Sequence, residues 1–251
     1  VDLTFLDPPF NQAKTYHGVK DDLPSAEYWQ EIRRVCAQIL ELTSVGGAIY
    51  FMQREKNSEE VLRVLRESGW TFQNLIIWRK KTSAVPGRYR YGKQFQIIVF
   101  ATKGPRPRVF HRLRIDPPLL ANQKIPRPTG VYVTDVWDDV RELTAGYFAG
   151  DEALRDTRGQ RQHEQQAPVQ LLLRMILSST RPGDTVLDPY AGTGTTLVAA
   201  TQVGRRAVGV EFAEKNVKLI RERLRSNRPA DAVKKWLKAY EHTPGLKKIT
   251  G

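Results

Sequence analysis

Two short segments bring together residue types whose spacing suits chemistry. The first is Asp7-Pro8-Pro9-Phe10, directly after the apolar run at 2–6. An exocyclic amine on an aromatic ring is a poor nucleophile because its lone pair is delocalised. A carboxylate at Asp7 and the backbone carbonyl of Pro8 can accept its two N–H bonds and draw the nitrogen toward tetrahedral geometry. Pro8 and Pro9 restrict the backbone so that the two acceptors converge. Phe10 offers a face on which a base lifted out of a duplex can stack. A strand-ending turn has the same composition, and a second copy, Asp116-Pro117-Pro118, occurs in this chain. That copy follows no clear strand and is trailed by Leu119 instead of an aromatic, so it reads as a turn.

The second segment is Asp188-Pro189-Tyr190-Ala191-Gly192-Thr193-Gly194-Thr195-Thr196. It follows an apolar strand and opens a helix, where glycines permit close approach of backbone to a ligand beside a helix N-terminus. Glu211 closes the next strand, and a carboxylate there suits the two hydroxyls of a ribose. A tight strand-to-helix turn with a solvent-facing Glu211 is the plainer alternative. Leu197 stands where a dinucleotide fingerprint has its third glycine. That disfavours NAD and leaves a mononucleoside such as S-adenosylmethionine (SAM).

A third segment, His163-Glu164-Gln165-Gln166-Ala167-Pro168, precedes an apolar helix and places Pro168 at its first turn. Cys36, the only cysteine, falls in the apolar stripe of a helix and reads as a core residue, not a nucleophile. A single cysteine also excludes a disulfide framework and a cysteine-rich zinc site; no metal is expected.

The elements around these motifs alternate between strand and helix. Runs at 2–6, 48–52, 71–78, 95–102, 185–188 and 206–211 read as strands. Helical periodicity appears from Ser25, a plausible N-cap, through Tyr28, Ile32, Val35, Ile39 and Leu42. Further helices are expected around Val61–Leu65, over 169–177, after Thr195, over 213–226 and, lysine-rich, over 230–241. Residues 11–24 look polar and irregular. Residues 103–160 lack periodicity and carry prolines at 105, 107, 117, 118, 126 and 128, which suggests an insertion set apart from the core. The order predicts an α/β, mostly parallel sheet.

The 251 residues carry a net charge of +13, and its placement is informative. Residues 79–127 hold 13 Lys or Arg and one acid, Asp116, while the rest of the chain is nearly neutral. Tyr89, Tyr91, Phe95, Phe110 and His111 are interleaved with these arginines, a mixture suited to phosphates and stacked bases. No run of 18 apolar residues is present, so a membrane partner is not expected. No secretory segment is visible, and a cytoplasmic, DNA-associated location is expected. The chain opens at Val1 almost inside a strand, which suggests that further residues lie upstream.

Together the motifs resemble the amino-methyltransferases of restriction-modification systems and orphan DNA methylation. Asp7-Pro8-Pro9-Phe10 is similar to their catalytic tetrad, Asp188 to Thr196 to their SAM loop, and the segment at 163–168 to the start of their following helix. The catalytic motif precedes the basic segment, which precedes the SAM motif; this circularly permuted order resembles the β group. The resemblance implies a Rossmann-like methyltransferase fold, with 95–102 as the antiparallel strand of its sheet, a catalytic half at 1–102, a basic target-recognition insertion at 103–160 and a SAM-binding half at 161–251. It implies that Asp7, Pro8, Pro9 and Phe10 hold the target amine and base. Asp188, Tyr190, Ala191, Gly192, Thr193, Gly194 and Thr195 would line the SAM site, with Glu211 on the ribose and His163, Gln165 and Pro168 near the methionine end. The loop at 79–93 would lie over DNA, so Arg79, Lys80, Lys81, Arg88, Arg90 and Lys93, with Arg106, Arg108, Arg112 and Arg114, are the expected nucleic-acid contacts.

The implied activity is methyl transfer from SAM to adenine N6 in double-stranded DNA, because Asp in first place of the tetrad is commoner among adenine-specific members. Transfer to cytosine N4, an RNA amino-methyltransferase and a catalytically silent DNA-binding subunit are the alternatives. A cognate restriction endonuclease and a homodimer are the expected partners. Glu164 and Ala167 depart from the family's usual Pro and Lys. The Gly-Asp segment that usually precedes the tetrad's strand and covers the SAM adenine is not found, which implies a more open cofactor pocket and weaker SAM binding.

Overall fold

The computed structural model describes residues 1–16, 19–117, 128–143, 150–155, 158–160, 166–226 and 228–251. Strand β1 (Leu3–Leu6) leads through the tetrad into a short hairpin, β2 (Lys14–Tyr16) and β3 (Val19–Asp21). Helix α1 (Ser25–Leu42), β4 (Ala48–Arg54), α2 (Ser58–Glu67), β5 (Thr71–Arg79) and β6 (Phe95–Thr102) follow. The chain then forms β7 (Arg114–Ile115), β8 (Val131–Tyr132) and β9 (Val136–Trp137). It closes with α3 (Val169–Ser179), β10 (Thr185–Asp188), α4 (Thr195–Gln202), β11 (Arg206–Gly209), α5 (Glu214–Ser226), α6 (Lys234–Leu237) and α7 (Leu246–Thr250).

Seven of these strands form one sheet in the order β11-β10-β1-β4-β6-β5-β9. Only β6 runs against the others, as expected for 95–102. Both faces are covered. Ile49 and Phe51 of β4, with Ile97, Val99 and Ala101 of β6, pack on α1 and α2. Tyr50 and Met52, with Ile98 and Phe100, pack on the opposite side with α3. This two-residue alternation explains why the central strands read as unbroken apolar runs. No described helix is long and apolar enough to cross a membrane.

Several expectations change. Within 11–24, residues 14–16 and 19–21 pair as a hairpin, and the Asp21 carboxylate accepts the backbone N–H of Asn11 (3.0 Å) and Gln12 (3.1 Å). Pro24, not Ser25, occupies the N-cap of α1, without a side-chain cap. The final lysine-rich helix is broken into short turns, because Asp231 is drawn into ion pairs with Arg223 and Arg228, both at 2.8 Å. The described part of 103–160 is not set apart from the core. Leu113, Trp137 and Val140 are buried in the main core, and β9 extends the sheet beside β5.

Arg174 shows what that core demands. It is fully buried in α3, and its guanidinium is met by both Asp139 oxygens, by the Tyr240 hydroxyl (3.0 Å) and by the Trp137 ring. A buried charge is tolerated only with such complete pairing.

Candidate active site

The C-terminal ends of β1 and β10 bring the two motifs together. They line one cavity of about 490 Å³, with Asp7, Pro8 and Pro9 on one side and residues 188–193, Thr195 and Thr196 on the other. Val35, Ile39 and Leu42 of α1 complete an apolar wall, and Val210, Glu211 and Phe212 close the edge beyond β11. Leu42 and Phe212 are exposed in spite of their apolar side chains, at 63% and 69%. This explains why the apolar stripe of α1 is wider than the core needs: part of it faces the cavity.

The loop after β10 is held by its own side chains. Asp188 accepts the Tyr190 N–H (3.1 Å) and the Thr196 hydroxyl. Glu211 accepts the Gly192 N–H (2.9 Å) and the Ala213 N–H (2.8 Å). From α5, Arg223 donates to the Thr193 carbonyl and bridges to buried Asp231. Gly194 is left-handed (φ +81°), and a Cβ there would lie 2.7 Å from Ile220. It therefore shapes the loop without lining the cavity. Where the dinucleotide pattern has a third glycine, Leu197 is accommodated by Gly209 of β11, at which a Cβ would lie 2.9 Å from the Leu197 methyls. Glu211 spends two lone pairs on the backbone and keeps others for a diol.

Asp7 also lines a second cavity, of about 520 Å³, with Phe10, Trp78, Lys80, Lys93 and Glu142. Asp7, Gln166 and Ala167 belong to both cavities and form the wall between them. The Asp7 Oδ1 atom is buried and has no hydrogen-bond partner among the described residues. Burial, reinforced by Asp188, pushes the Asp7 carboxyl well above the usual carboxylate range, and Lys80 opposes the shift. Burial likewise raises Asp188, to about 6. Such perturbed carboxyls in a cleft mark a functional site.

The walls of the second cavity depend on residues that sequence motifs did not single out. The Tyr28 hydroxyl donates to the Pro9 carbonyl (2.7 Å) and accepts from Gln53 (3.1 Å), which fixes the tetrad's turn. Tyr28 was legible only as part of a core stripe. Glu142 accepts the N–H groups of Lys81 (2.9 Å) and Thr82 (2.8 Å) and the Thr82 hydroxyl, fastening the basic loop to the chain after β9. Gln166 ties α3 to the preceding segment through Leu154 and Glu152, both at 3.0 Å. Pro168 is the N-cap of α3 and stays outside the cavity lining. His163 and Gln165 lie outside the described residues. Cys36 is buried, its thiol pushed up to about 12, as suits a core position. Asp116 of the second Asp-Pro-Pro pairs with His242 (2.8 Å), away from both cavities.

The single basic block expected from charge is two. Arg79, Lys80, Lys81, Arg88, Arg90 and Lys93 belong to the β5–β6 connection, at the cavity end of the sheet. Tyr89 and Tyr91 are exposed there at 84% and 98%. Because β6 is antiparallel, the chain leaves it at the opposite end. Arg108 there is matched by Asp2 (2.9 Å) and Asp184 (2.6 Å), at the N-terminal ends of β1 and β10. It is a structural clip and not a contact near the tetrad. Arg106 lies in the same connection. Arg112 and Arg114 flank the Tyr132 ring, and Arg114 also donates to the Thr129 carbonyl (2.8 Å). This second group does not line either motif-bearing cavity.

The chain is similar to known DNA methyltransferases. The DNA adenine methyltransferase YhdJ of Escherichia coli is 30% identical over 248 residues, covering 89% of this chain and 76% of its own. The type II methyltransferase M.HpaI of Haemophilus parainfluenzae is 26% identical, covering 90% of this chain and 68% of its own. The crystal structure of the M1.HpyAVI–SAM complex aligns with a TM-score of 0.59 at 21% identity, covering 90% of this chain and 89% of that one. The N6_N4_Mtase family model, described as DNA methylase, matches residues 1–222. The chain therefore belongs to the N6_N4_Mtase family of DNA methylases.

Proposed function

We propose that this DNA methylase transfers a methyl group from SAM to the exocyclic N6 amine of adenine in duplex DNA. The observation that carries the reading is the position of Asp7: in the wall shared by two cavities, with a buried oxygen that lacks a partner among the described residues. A donor in one cavity and an acceptor in the other would meet at this residue. Such an orphaned acceptor is a cost to the empty protein, and a target amine satisfies it.

The residues of the first cavity fit SAM. The ribose hydroxyls match Glu211, the adenine ring matches the apolar edge at Val210 and Phe212, and the methionine end matches the loop of Gly192, Thr193 and Thr195. When bound, SAM supplies an electrophilic methyl on a positively charged sulfur. The protein's own part is placement and electrostatics. Asp7 and the Pro8 carbonyl accept the two amine N–H bonds, which localises the lone pair on nitrogen and aims it at the shared wall. The Asp7 charge stabilises the positive charge that grows on nitrogen as the N–C bond forms and the bond from methyl to sulfur breaks to leave a neutral thioether, and the nitrogen afterwards gives up one proton to water. Phe10, buried at the rim of the second cavity, stacks the extruded base. Cys36 is buried in the helix core and forms no covalent link to the base.

Asp at the first tetrad position and the adenine specificity in the name of YhdJ support adenine over cytosine. The test is to incubate the protein with SAM and duplex DNA, digest the DNA and identify methylated nucleosides by mass spectrometry. N6-methyladenine is expected. N4-methylcytosine would overturn the choice of base, and unmodified DNA would overturn the activity.

A further inference from the structure

Charge alone assigned Lys80 to the DNA backbone together with its basic neighbours, but its surroundings differ from theirs. Lys81, Arg88 and Arg90 are exposed, whereas Lys80 is half-buried and lines the second cavity with Asp7. Its backbone N–H is fixed to the Gln94 carbonyl (2.7 Å), and its ammonium sits 5.3 Å from the centre of the Trp78 ring. Trp78 is itself anchored by a hydrogen bond to the Val140 carbonyl (2.8 Å). The side chain thus lies against an anchored aromatic surface in the wall of the cavity that Asp7 also lines.

The other charges near this cavity are largely committed. Lys93 pairs with Glu55. Glu142 accepts from Lys81 and Thr82 and also supports the Lys80 ammonium, more strongly than Asp7 does, against the burial that disfavours that charge. Arg54 adds a positive charge on the Lys80 side. Around Asp7, Asp188 adds a negative charge from the loop after β10, and the Tyr28 hydroxyl of α1 is occupied by Pro9. Asp7 therefore has an acidic neighbour on the cofactor side and Lys80 on the target side.

We propose that Lys80 is a positioning residue of the target cavity, the counter-charge that holds Asp7 as an acceptor for the incoming amine, and not a phosphate contact. This inference rests on the methyltransferase reading for its catalytic meaning. The physical reason is direct. A protonated Asp7 would present a hydroxyl donor to an amine that also donates, whereas a carboxylate presents two acceptors. Burial and Asp188 favour the protonated form, and Lys80 is the positive group that opposes them.

The experiment follows Asp7 itself. Protein labelled with ¹³C at aspartate carboxyls is titrated by NMR without cofactor as wild type, Lys80→Met and Lys80→Arg, with the Asp7 resonance assigned by its loss in Asp7→Asn. The Asp7 midpoint is expected to rise by about one pH unit or more in Lys80→Met, the lower end of the shift for a neighbouring opposite charge, and to return in Lys80→Arg. Single-turnover methyl transfer is followed in parallel. Its acid limb should move upward with the same midpoint in Lys80→Met, with retained SAM binding verifying the fold. An unmoved Asp7 midpoint would overturn the proposal. So would a uniform loss of DNA affinity with the salt slope reduced by about 0.9, the mark of one lost phosphate contact. Absence of transfer by the wild type would refute the methyltransferase reading, while the NMR titration would still decide the Asp7–Lys80 pairing.

Discussion

The two cavities that share Asp7 are built in different ways. The polar side of the cofactor cavity is made from two stretches, the loop after β10 and residues 210–212 beyond β11, set against the tetrad and the apolar wall of α1, and the shape of that polar side is set by backbone. Glycine conformations, N–H groups gripped by Asp188 and Glu211, and a buried Arg223–Asp231 pair hold it. The target cavity is assembled from side chains on separate segments: the tetrad, β4, the β5–β6 connection, the stretch after β9 and the start of α3. The contrast separates recognition of an invariant ligand, which a rigid backbone cradle serves, from recognition of a base in its sequence context, which adjustable side chains serve.

The difference is open to experiment, and the largest effect should come from the cofactor side. Asp231→Ala leaves Arg223 charged, buried and unpaired, and is expected to cost about 3–5 kcal/mol of stability. A thermal melt would register it, and SAM affinity should fall because Arg223 also holds the Thr193 carbonyl. A neutral outcome would mean that the pair does not support the loop. On the target side, Glu142→Ala removes the fastening of Lys81 and Thr82 and should cost less, about 1.5–3 kcal/mol. It should slow methyl transfer while leaving the SAM dissociation constant unchanged in calorimetry. Equal damage to SAM binding would erase the distinction between the cavities.

The basic residues sharpen the same contrast. Arg88→Ala and Arg90→Ala should each weaken duplex binding and lower the slope of log affinity against log salt by about 0.9. Arg106→Ala and Arg112→Ala should leave the slope unchanged; equal slopes in all variants would restore the single basic block.

The smallest effect is a pH dependence on the cofactor side. Asp188, raised by burial to about 6, is charged above that pH and loses its charge below it. A cationic cofactor should therefore bind with constant affinity above pH 6 and progressively more weakly below. The native state binds this proton more tightly than the unfolded chain does. Asp188 consequently lowers stability as pH rises from the ordinary carboxylate range to about 6. Calorimetric titration with SAM across that interval checks the binding; an affinity that holds constant through it would exclude Asp188 as the titrating group.

The same contrast governs what the sequence made legible. The loop after β10 is local: strand, turn, glycines, helix and acid follow in order, so its geometry is written in spacing. Even the missing third glycine has a local answer, in Gly209 beside Leu197. The mostly parallel sheet was readable from the alternation of strands and helices, and the antiparallel β6 only from the methyltransferase resemblance. What spacing does not encode is where chain-distant side chains converge. Tyr28 reads as core because its ring is core, and its hydroxyl matters only once Pro9 is beside it. Glu142 sits in an aperiodic stretch and gains meaning from the backbone it grips. The basic block misled for a topological reason: one antiparallel strand carries its two halves to opposite ends of the sheet. Charge density along a chain does not register that reversal.

The most direct test of the central claim is to compare wild type and Asp7→Ala in transfer of labelled methyl from SAM to duplex DNA, with SAM and DNA binding measured on the same samples. Loss of a preorganised group at the reacting centre typically lowers turnover by about 10²–10³-fold, and Asp7→Ala should lose at least that much while both ligands still bind. Transfer at the wild-type rate, or loss of transfer explained wholly by loss of SAM or DNA binding, would contradict the placement of chemistry at the wall between the two cavities.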